Sequence, residues 1–528
     1  AQGGAPMSRD QWAAVYPACR RLLGPAAWER LAVGADHAQF PRRLRAMAAA
    51  DLPAFLPELA ALEWARHEVR AAATAIGPVD RLIVNPFLRV VEAEWRGLAP
   101  WLGEGGEALP RPGRECLLVW WAPVQGTVCC RPAGDEDLLA LKVMSEEVDP
   151  RAAATLGGLP VGAIDRALKR AVAHGLLLAP PSRLRRDETM FSVAGVAEEW
   201  LAAPVFTLQW HVTQQCDLHC KHCYDRSARP AVALGQGLAV LDELREFCLA
   251  RRVEGQVSFS GGNPLLHPDF FALYRGASER GLTTAILGNP TSRETLAGIV
   301  AIQEPSFFQV SLEGLAPHND FIRGPGHFAR VLDFLDLLRE FRIYSMVMLT
   351  LTRENMDEVL PLAELLRGRV DLFTFNRLAM VGEGAQLLSV RPEEYRAFLA
   401  DYLAAARENP AMSLKDNLFN LLRQEKGLPL SGGCTGYGCG AAFNFLSLLP
   451  DGEVHACRKF PSPIGNLHEQ GLAAVYDGEA AQRYRAGCRA CRDCAIRPVC
   501  GGCLAVAYGF GLAVNEQRDP YCFLPPSG

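Results

Sequence analysis

The sequence predicts an α/β fold around a six-stranded parallel sheet, preceded by a helical region and followed by a cysteine-rich one. Three observations carry this. Between residues 206 and 378, β-rich runs alternate with helical segments, the pattern that builds a parallel sheet. Short motifs rich in glycine and cysteine fall just after those runs, where the loops of α/β folds carry their chemistry. Of the 17 cysteines, three lie within residues 216–223 and nine between Cys434 and Cys522.

A chain of 528 residues exceeds one hydrophobic core, so roughly three domains are expected. Its 49% apolar and 21% charged content is that of a folded protein, and a net charge of -5 gives no general pull toward nucleic acid or membrane. No run reaches the ~18 apolar residues of a membrane span, and no charged-then-apolar leader opens the chain. A cytoplasmic protein with reduced thiols is therefore expected, and clustered reduced thiols point to metal. Residues 1–6, AQGGAP, precede Met7 and read as a cloning remnant.

Residues 7–110 read as helical, because apolar residues such as Leu52, Phe55, Leu56, Leu59 and Leu62 recur at three- and four-residue spacing. Pro110, Pro112 and Gly113 mark a boundary. Within 111–190, ECLLVWW and TVCCRP read as two strands about a turn, followed by helical segments near 135–147, 151–157 and 161–174. The stretch PPSRLRRD (180–187) reads as a linker. The six strands of a core over 200–385 are FTLQWHVT, QVSFS, TTAIL, FFQVSLE, YSMVMLTL and DLFTFNRL. A helical bridge, 386–430, leads to the cysteine-rich residues 431–528.

After the first of these strands comes CDLHCKHC, which spaces Cys216, Cys220 and Cys223 as C-x3-C-x2-C. Three thiolates hold three irons of a [4Fe–4S] cluster and leave the fourth open; a zinc site is the competing reading. The second strand ends in SFSGGNP, and the fourth continues as SLEG and then HNDFIRGPG. Together these motifs resemble the radical SAM superfamily, whose open iron is chelated by S-adenosylmethionine (SAM). The resemblance implies a partial (βα)6 barrel and assigns Cys216, Cys220 and Cys223 to the catalytic cluster. It places His222 near adenine, in a position usually aromatic. It places Gly261, Gly262, Asn263 and Pro264 along the SAM amino group, with Asn263 where Glu is usual. Ser311 would bond SAM, Glu313 replaces the usual Asp, and Arg323 would pair with the SAM carboxylate.

Downstream, Cys439, Gly452 and Cys457 are followed by Cys491, Cys494, Cys500 and Cys503 as C-x2-C-x5-C-x2-C, then by Cys522. This resembles the SPASM domain of radical SAM maturases. The resemblance implies one auxiliary [4Fe–4S] cluster on Cys434, Cys439, Cys457 and Cys503, and another on Cys491, Cys494, Cys500 and Cys522, three clusters in all. The last spacing is one residue short of the family's. Cys488 forms its own C-x2-C with Cys491, as an alternative ligand or a spare thiol, and a zinc ribbon over 488–503 is the competing reading. Sulfatase-maturing relatives carry a catalytic Asp directly after the cysteine equivalent to Cys457. Arg458 stands here, so their reaction is not expected. Cys19, Cys116, Cys129, Cys130 and Cys248 read as packing residues.

The hairpin and three helices of 111–190 resemble the winged-helix-like leader-binding module of peptide-modifying enzymes; a DNA-binding winged helix and a structural cap are the alternatives. Arg166, Lys169 and Arg170 suit a DNA reader, while Asp165 and the acidic chain do not. The whole resembles maturases of thio(seleno)oxazole-type peptides. It implies an enzyme that cleaves SAM to a 5′-deoxyadenosyl radical and forms a thioether or other crosslink in a ribosomally made, cysteine-rich precursor peptide bound through its leader. An electron donor such as flavodoxin or ferredoxin is implied, with no nucleic-acid or membrane partner. A folded protein or small molecule as substrate, or a redox-sensing regulator, are the rival readings.

Overall fold

The computed structural model describes residues 9–31, 37–47, 52–74, 76–103, 108–123, 125–193 and 196–525; the residues read as a cloning remnant lie outside these. Among the described residues no helix is long and apolar enough to cross a membrane. Two compact units form, Ala1–Pro181 and Ser182–Gly528.

The first unit holds β1 (Ile83–Val84), β2 (Leu88–Arg96), β3 (Arg111–Ala122), β4 (Thr127–Pro132) and β5 (Leu177–Leu178). β2, β3 and β4 form an antiparallel sheet in that order, and β1 pairs with β5. The apolar run CLLVWW is continuous because β3 is covered on both faces. Leu117 and Val119 pack with Trp12, Tyr16, Phe40 and Leu59 of the preceding helices, while Leu118 and Trp120 pack with Val143, Ile164 and Leu168 of the following ones. Two expectations are corrected here. Residues 83–84 and 88–96 are strands within the expected helical 7–110, because pairing with β3 overrides the helical leaning of LRVVEAEWR. The boundary expected near 110 falls inside one sheet, so 7–110 and 111–181 share a core.

The second unit is built on β6 (Val205–Thr213), β7 (Glu254–Gly261), β8 (Thr283–Leu287), β9 (Phe308–Ser311), β10 (Ser345–Leu351) and β11 (Leu372–Arg377), parallel neighbours in chain order. Beyond β6 the sheet continues through β12 (Phe445–Leu448), parallel to β6, and then β13 (Glu453–His455) and β14 (Pro463–Asn466), both antiparallel. Strand alternation divides the residues of β6. Phe206, Leu208 and Trp210 join the buried core, while Thr207, Gln209 and His211 line a cavity. Gln256, Ser258 and Ser260 of β7 line it in the same way.

The expected linker is also corrected. Leu184 is 1% exposed and joins the core of the second unit. Arg186 is buried, with its Nη2 donating to the carbonyls of Tyr437 and Cys439. Residues 182–190 therefore belong to the cluster-bearing unit: an apolar side chain and a guanidinium inside a nominally basic stretch meet partners distant in sequence. A chain beginning at Ser182 is expected to unfold cooperatively and keep its iron, whereas one beginning at residue 191 loses both. Leu184→Ala should cost about 2–5 kcal/mol in denaturant unfolding.

Candidate active site

The loop after β6 carries Cys216, Cys220 and Cys223, and all three thiols are unpaired and line the cavity, which encloses about 940 Å³. The loop is held from three sides. Asn263, after β7, and Asn289, after β8, both donate Nδ2 to Asp217 Oδ1, at 3.0 and 2.6 Å. Asn289 Nδ2 also lies 3.7 Å from Cys216 Sγ, and Arg323 Nη1 lies 3.7 Å from Cys220 Sγ. Asp217 and Asn289 were not among the sequence candidates, although the signal was present: Gly288-Asn289-Pro290 repeats Gly262-Asn263-Pro264 after the next strand.

Gly261 and Gly262 let two loops approach too closely for any side chain. A Cβ on Gly261 would lie 2.0 Å from the Thr213 carbonyl oxygen, and one on Gly262 would lie 2.2 Å from that of Gln215. Gly261 also has a φ of 134°, a region open chiefly to glycine. The Gly262 and Asn263 amides donate to Thr213 and Gln215, which fixes the GGNP turn against the thiol loop. The Asn263 amide is consumed inside the turn, its Oδ1 accepting from the Leu265 amide and its Nδ2 serving Asp217. Pro264, behind it, is buried.

Ser311, at the end of β9, lines the cavity. Glu313, two residues on, is 1% exposed and organises the neighbouring wall. Its Oε1 accepts from Arg323 Nε and Nη2 at 2.8 and 2.6 Å and lies 2.9 Å from His222 Nε2, and its Oε2 accepts from the Thr350 amide. Burial alone would raise this carboxyl, but His222, Arg323 and the Thr350 amide outweigh it and hold it well below the usual carboxylate range. Arg323 thus spends two of its three nitrogens on Glu313, and only Nη1 remains toward the thiols. The open fork expected for a SAM carboxylate is closed in this structure.

C-terminal cysteines line the same cavity. Because β12 extends the sheet from β6 and β13 turns back beside it, Cys457 arrives two residues after His455 at the mouth of the same cavity. Cys434 lines it too. Burial raises several thiols of the C-terminal region. Cys439 is raised by burial and then by Cys503 and Cys434; Cys457 is pushed up to about 12 by burial, with Cys503 and Cys439 adding. In the other set, burial raises Cys500, with Cys494 and Cys522 adding. Cys488 is buried and hydrogen-bonded with Cys491, which lowers the Cys488 thiol and raises that of Cys491. The second set therefore has five thiols in reach, not four.

Among the described residues no three His, Cys, Asp or Glu side chains converge on a point as one bound metal ion would need. A cubane spreads its thiolates around a body of eight atoms, and the fit rests on the donor chemistry: soft, unpaired thiols in one group of three and two further groups. A ligating thiol must lose its proton, a loss that a bound iron would favour.

Arg458 sits where the sulfatase-maturing pattern has Asp, and it is engaged. Its Nη2 donates to Asp225 Oδ2 at 2.5 Å, its Nε donates to His211 Nε2 at 3.0 Å, and its guanidinium lies 4.2 Å from the Tyr224 ring centre. Asp225, the carboxylate on this wall, is held well below its usual range: burial opposes this, but bonds from Ser227 and the charge of Arg458 prevail. It makes a poor proton acceptor. Lys415 and Lys459 complete the wall, Lys415 donating to Asn376.

Residues 210–366 match the radical SAM superfamily, and residues 439–503 match SPASM, an iron-sulfur cluster-binding domain. The chain is 27% identical to the AdoMet-dependent heme synthase of Methanosarcina barkeri, over 60% of this chain and 96% of that protein. It is 29% identical to the mycofactocin maturase MftC of Mycolicibacterium smegmatis, over 62% of this chain and 84% of that one. The crystal structure of Streptococcus suis SuiB bound to the precursor peptide SuiA is similar in fold, with a TM-score of 0.50 and 16% identity over 78% of this chain and 97% of that one.

Two outcomes test the thiol assignments. Anaerobically reconstituted protein should bind about twelve irons per chain, and joint replacement of Cys216, Cys220 and Cys223 by Ala should remove about four and abolish SAM cleavage. About four irons with bound zinc in the unmodified protein would refute the two auxiliary sites. Separately, Cys488→Ala should keep full iron and activity while Cys491→Ala loses both; loss of a cluster on Cys488→Ala would exchange their roles.

Proposed function

We propose that this chain, a radical SAM/SPASM enzyme, oxidatively modifies a side chain of a ribosomally made precursor peptide inside the cavity lined by Cys216, Cys220 and Cys223 and also by Cys434 and Cys457. The shared cavity carries this reading: a substrate held there touches the wall that generates a radical and the wall that can take up an electron. When bound, the three-cysteine cluster and SAM supply a hydrogen-abstracting radical. The chain's own residues do the rest. Asp217, clamped by Asn263 and Asn289, holds the thiol loop in register, and Glu313 fixes His222 and Arg323. Thr207, Gln209, Gln256 and Gln309 offer neutral donors and acceptors, suited to peptide amides, on the inner faces of the strands. Arg458, bonded to Asp225, stands where sulfatase-maturing relatives have their catalytic Asp, so we do not assign their reaction to this site.

The first unit supplies the second support. Among its described residues β4 pairs only with β3, so one edge of the sheet carries unpaired main-chain groups able to receive an extended leader segment. Cysteine-rich, thio(seleno)oxazole-type peptides remain the proposed substrates, with a ferredoxin- or flavodoxin-like donor. A second reading, a carboxylate-bearing small molecule, is favoured by Lys415 and Lys459, which line the cavity without a carboxylate ion pair among the described residues.

Deleting residues 1–181 should leave uncoupled SAM cleavage unchanged and reduce modification of a full-length precursor peptide by at least tenfold. A leaderless core peptide should be processed equally by both proteins. If the truncated enzyme modified the full precursor at the original rate, the leader-binding role would fail. Turnover of a tetrapyrrole carboxylate, but of no peptide encoded by a neighbouring gene, would select the second reading.

A further inference from the structure

The second unit buries two guanidinium groups that no carboxylate answers. Arg497, between Cys494 and Cys500, is 2% exposed, and Arg186 is 4% exposed. Among the described residues neither forms an ion pair with Asp or Glu. Arg497 Nη2 donates to the Ala486 carbonyl at 2.8 Å, and the guanidinium lies 4.6 Å from the Phe191 ring centre. Its Nε and Nη1 are shielded from solvent and have no hydrogen-bond partner, and the same holds for Arg186 Nε. Both border Cys439, Arg186 through that residue's carbonyl and Arg497 across Gly501. Two like charges, buried and near one another, are costly unless an anion stands beside them.

The chain makes room for this arrangement. A Cβ on Gly487 would lie 2.3 Å from Arg497 Nη2. A Cβ on Gly501 would lie 2.6 Å from Arg497 Nη1 and 3.5 Å from Cys439 Cβ, so the unpartnered tip of Arg497 and a thiol of the first auxiliary set border the same point. Arg497 lies three residues from both Cys494 and Cys500, and across Gly501 its tip borders Cys439. Arg186 completes the link, donating Nη2 to the Cys439 carbonyl at 2.9 Å.

We propose that Arg497, seconded by Arg186, is the counter-cation shared by the two auxiliary clusters, with its Nε–H and Nη1–H reserved for their sulfur. A cubane bound by four thiolates is an anion, and its reduced form carries one further negative charge. A fixed, desolvated cation therefore stabilises the reduced form more and raises the reduction potential. Arg497 so placed makes the auxiliary pair a better electron acceptor for the substrate. Arginine suits the role because it stays charged when buried and offers several donors in one plane. This inference rests on the reading of two auxiliary clusters.

The experiment is an EPR-monitored redox titration of reconstituted full-length protein lacking the SAM-cleaving cluster through Cys216→Ala, Cys220→Ala and Cys223→Ala. With Arg497→Gln, the iron of the two auxiliary sites is expected to stay. At a fixed poise, the ratio of reduced to oxidised cluster should fall about tenfold for at least one of them, equivalent to 59 mV for one electron. Arg497→Lys, which keeps the charge, should restore most of that loss. Full iron with unchanged potentials in Arg497→Gln would overturn the proposal and leave Arg497 a structural plug. Iron near four in the unmutated chain would instead overturn the two-cluster reading itself. Should the variants fail to fold, pulsed EPR of the protein with native Arg497, labelled with 15N-arginine, decides. A weak 15N coupling to a reduced auxiliary cluster is expected, and its absence overturns the proposal.

Discussion

The pairing of β6 with β12 is the constraint on which the rest depends. β6 delivers the loop of Cys216, Cys220 and Cys223 from its C-terminal end, and β12 lies parallel to it from Phe445 to Leu448. Because the two strands run the same way, the loops at their C-terminal ends emerge on the same side of the sheet. β13 is antiparallel to β12, so the chain turns back from that end, and Arg458, beyond β13, reaches His211 and Asp225. Cysteines more than 200 residues apart in sequence thereby line one cavity. Sheet hydrogen bonds fix their separation more firmly than a flexible domain contact would.

A buried ion network locks the far side. Arg377, at the end of β11, donates Nη1 and Nη2 to both carboxylate oxygens of Asp519 and Nε to Asp416. Asp519 in turn accepts from the Cys503 and Tyr521 amides, next to thiols of both auxiliary sets. Removing one member would strand a desolvated charge, so the network holds both ends of the C-terminal region to the last barrel strand. It contrasts with Arg186 and Arg497, which are as deeply buried but lack carboxylates. One set of arginines completes its charge balance within the protein; the other leaves it open beside thiols.

The parallel strands and the three-cysteine loop were legible because their signals are local. Alternation in FTLQWHVT separates helix-facing from cavity-facing residues within eight positions, and the thiol spacings lie within single loops. Four features were not legible for one common reason: their partners are distant. Strand β2 exists because β3 hydrogen-bonds it, although LRVVEAEWR leans toward helix. Leu184 and Arg186 look like linker residues until Tyr437, Cys439 and Phe443 close over them. Arg323 reads as an open fork until Glu313 occupies it. The split at residue 386 likewise vanishes in a sheet that runs unbroken from β11 to β14. Asp217 and Asn289 differ, since the repeated Gly-Asn-Pro was in the sequence and marks the two loops that converge on one carboxylate.

Charge balance connects these features to chemistry. Protein interiors tolerate a buried thiol readily and a buried thiolate poorly, so burial raises Cys439, Cys457 and Cys500. Iron reverses that preference by making the thiolate a ligand, but the ligated cubane leaves a net negative charge in a medium of low polarity. The chain answers with cations set by position: Arg323 beside Cys220, Lys415 and Lys459 near Cys434 and Cys457, and Arg497 near Cys439. Beside Cys220 the cation is neutralised by Glu313. Beside the C-terminal thiols, Arg497 has no carboxylate ion pair among the described residues, and its Nε and Nη1 are buried without a partner.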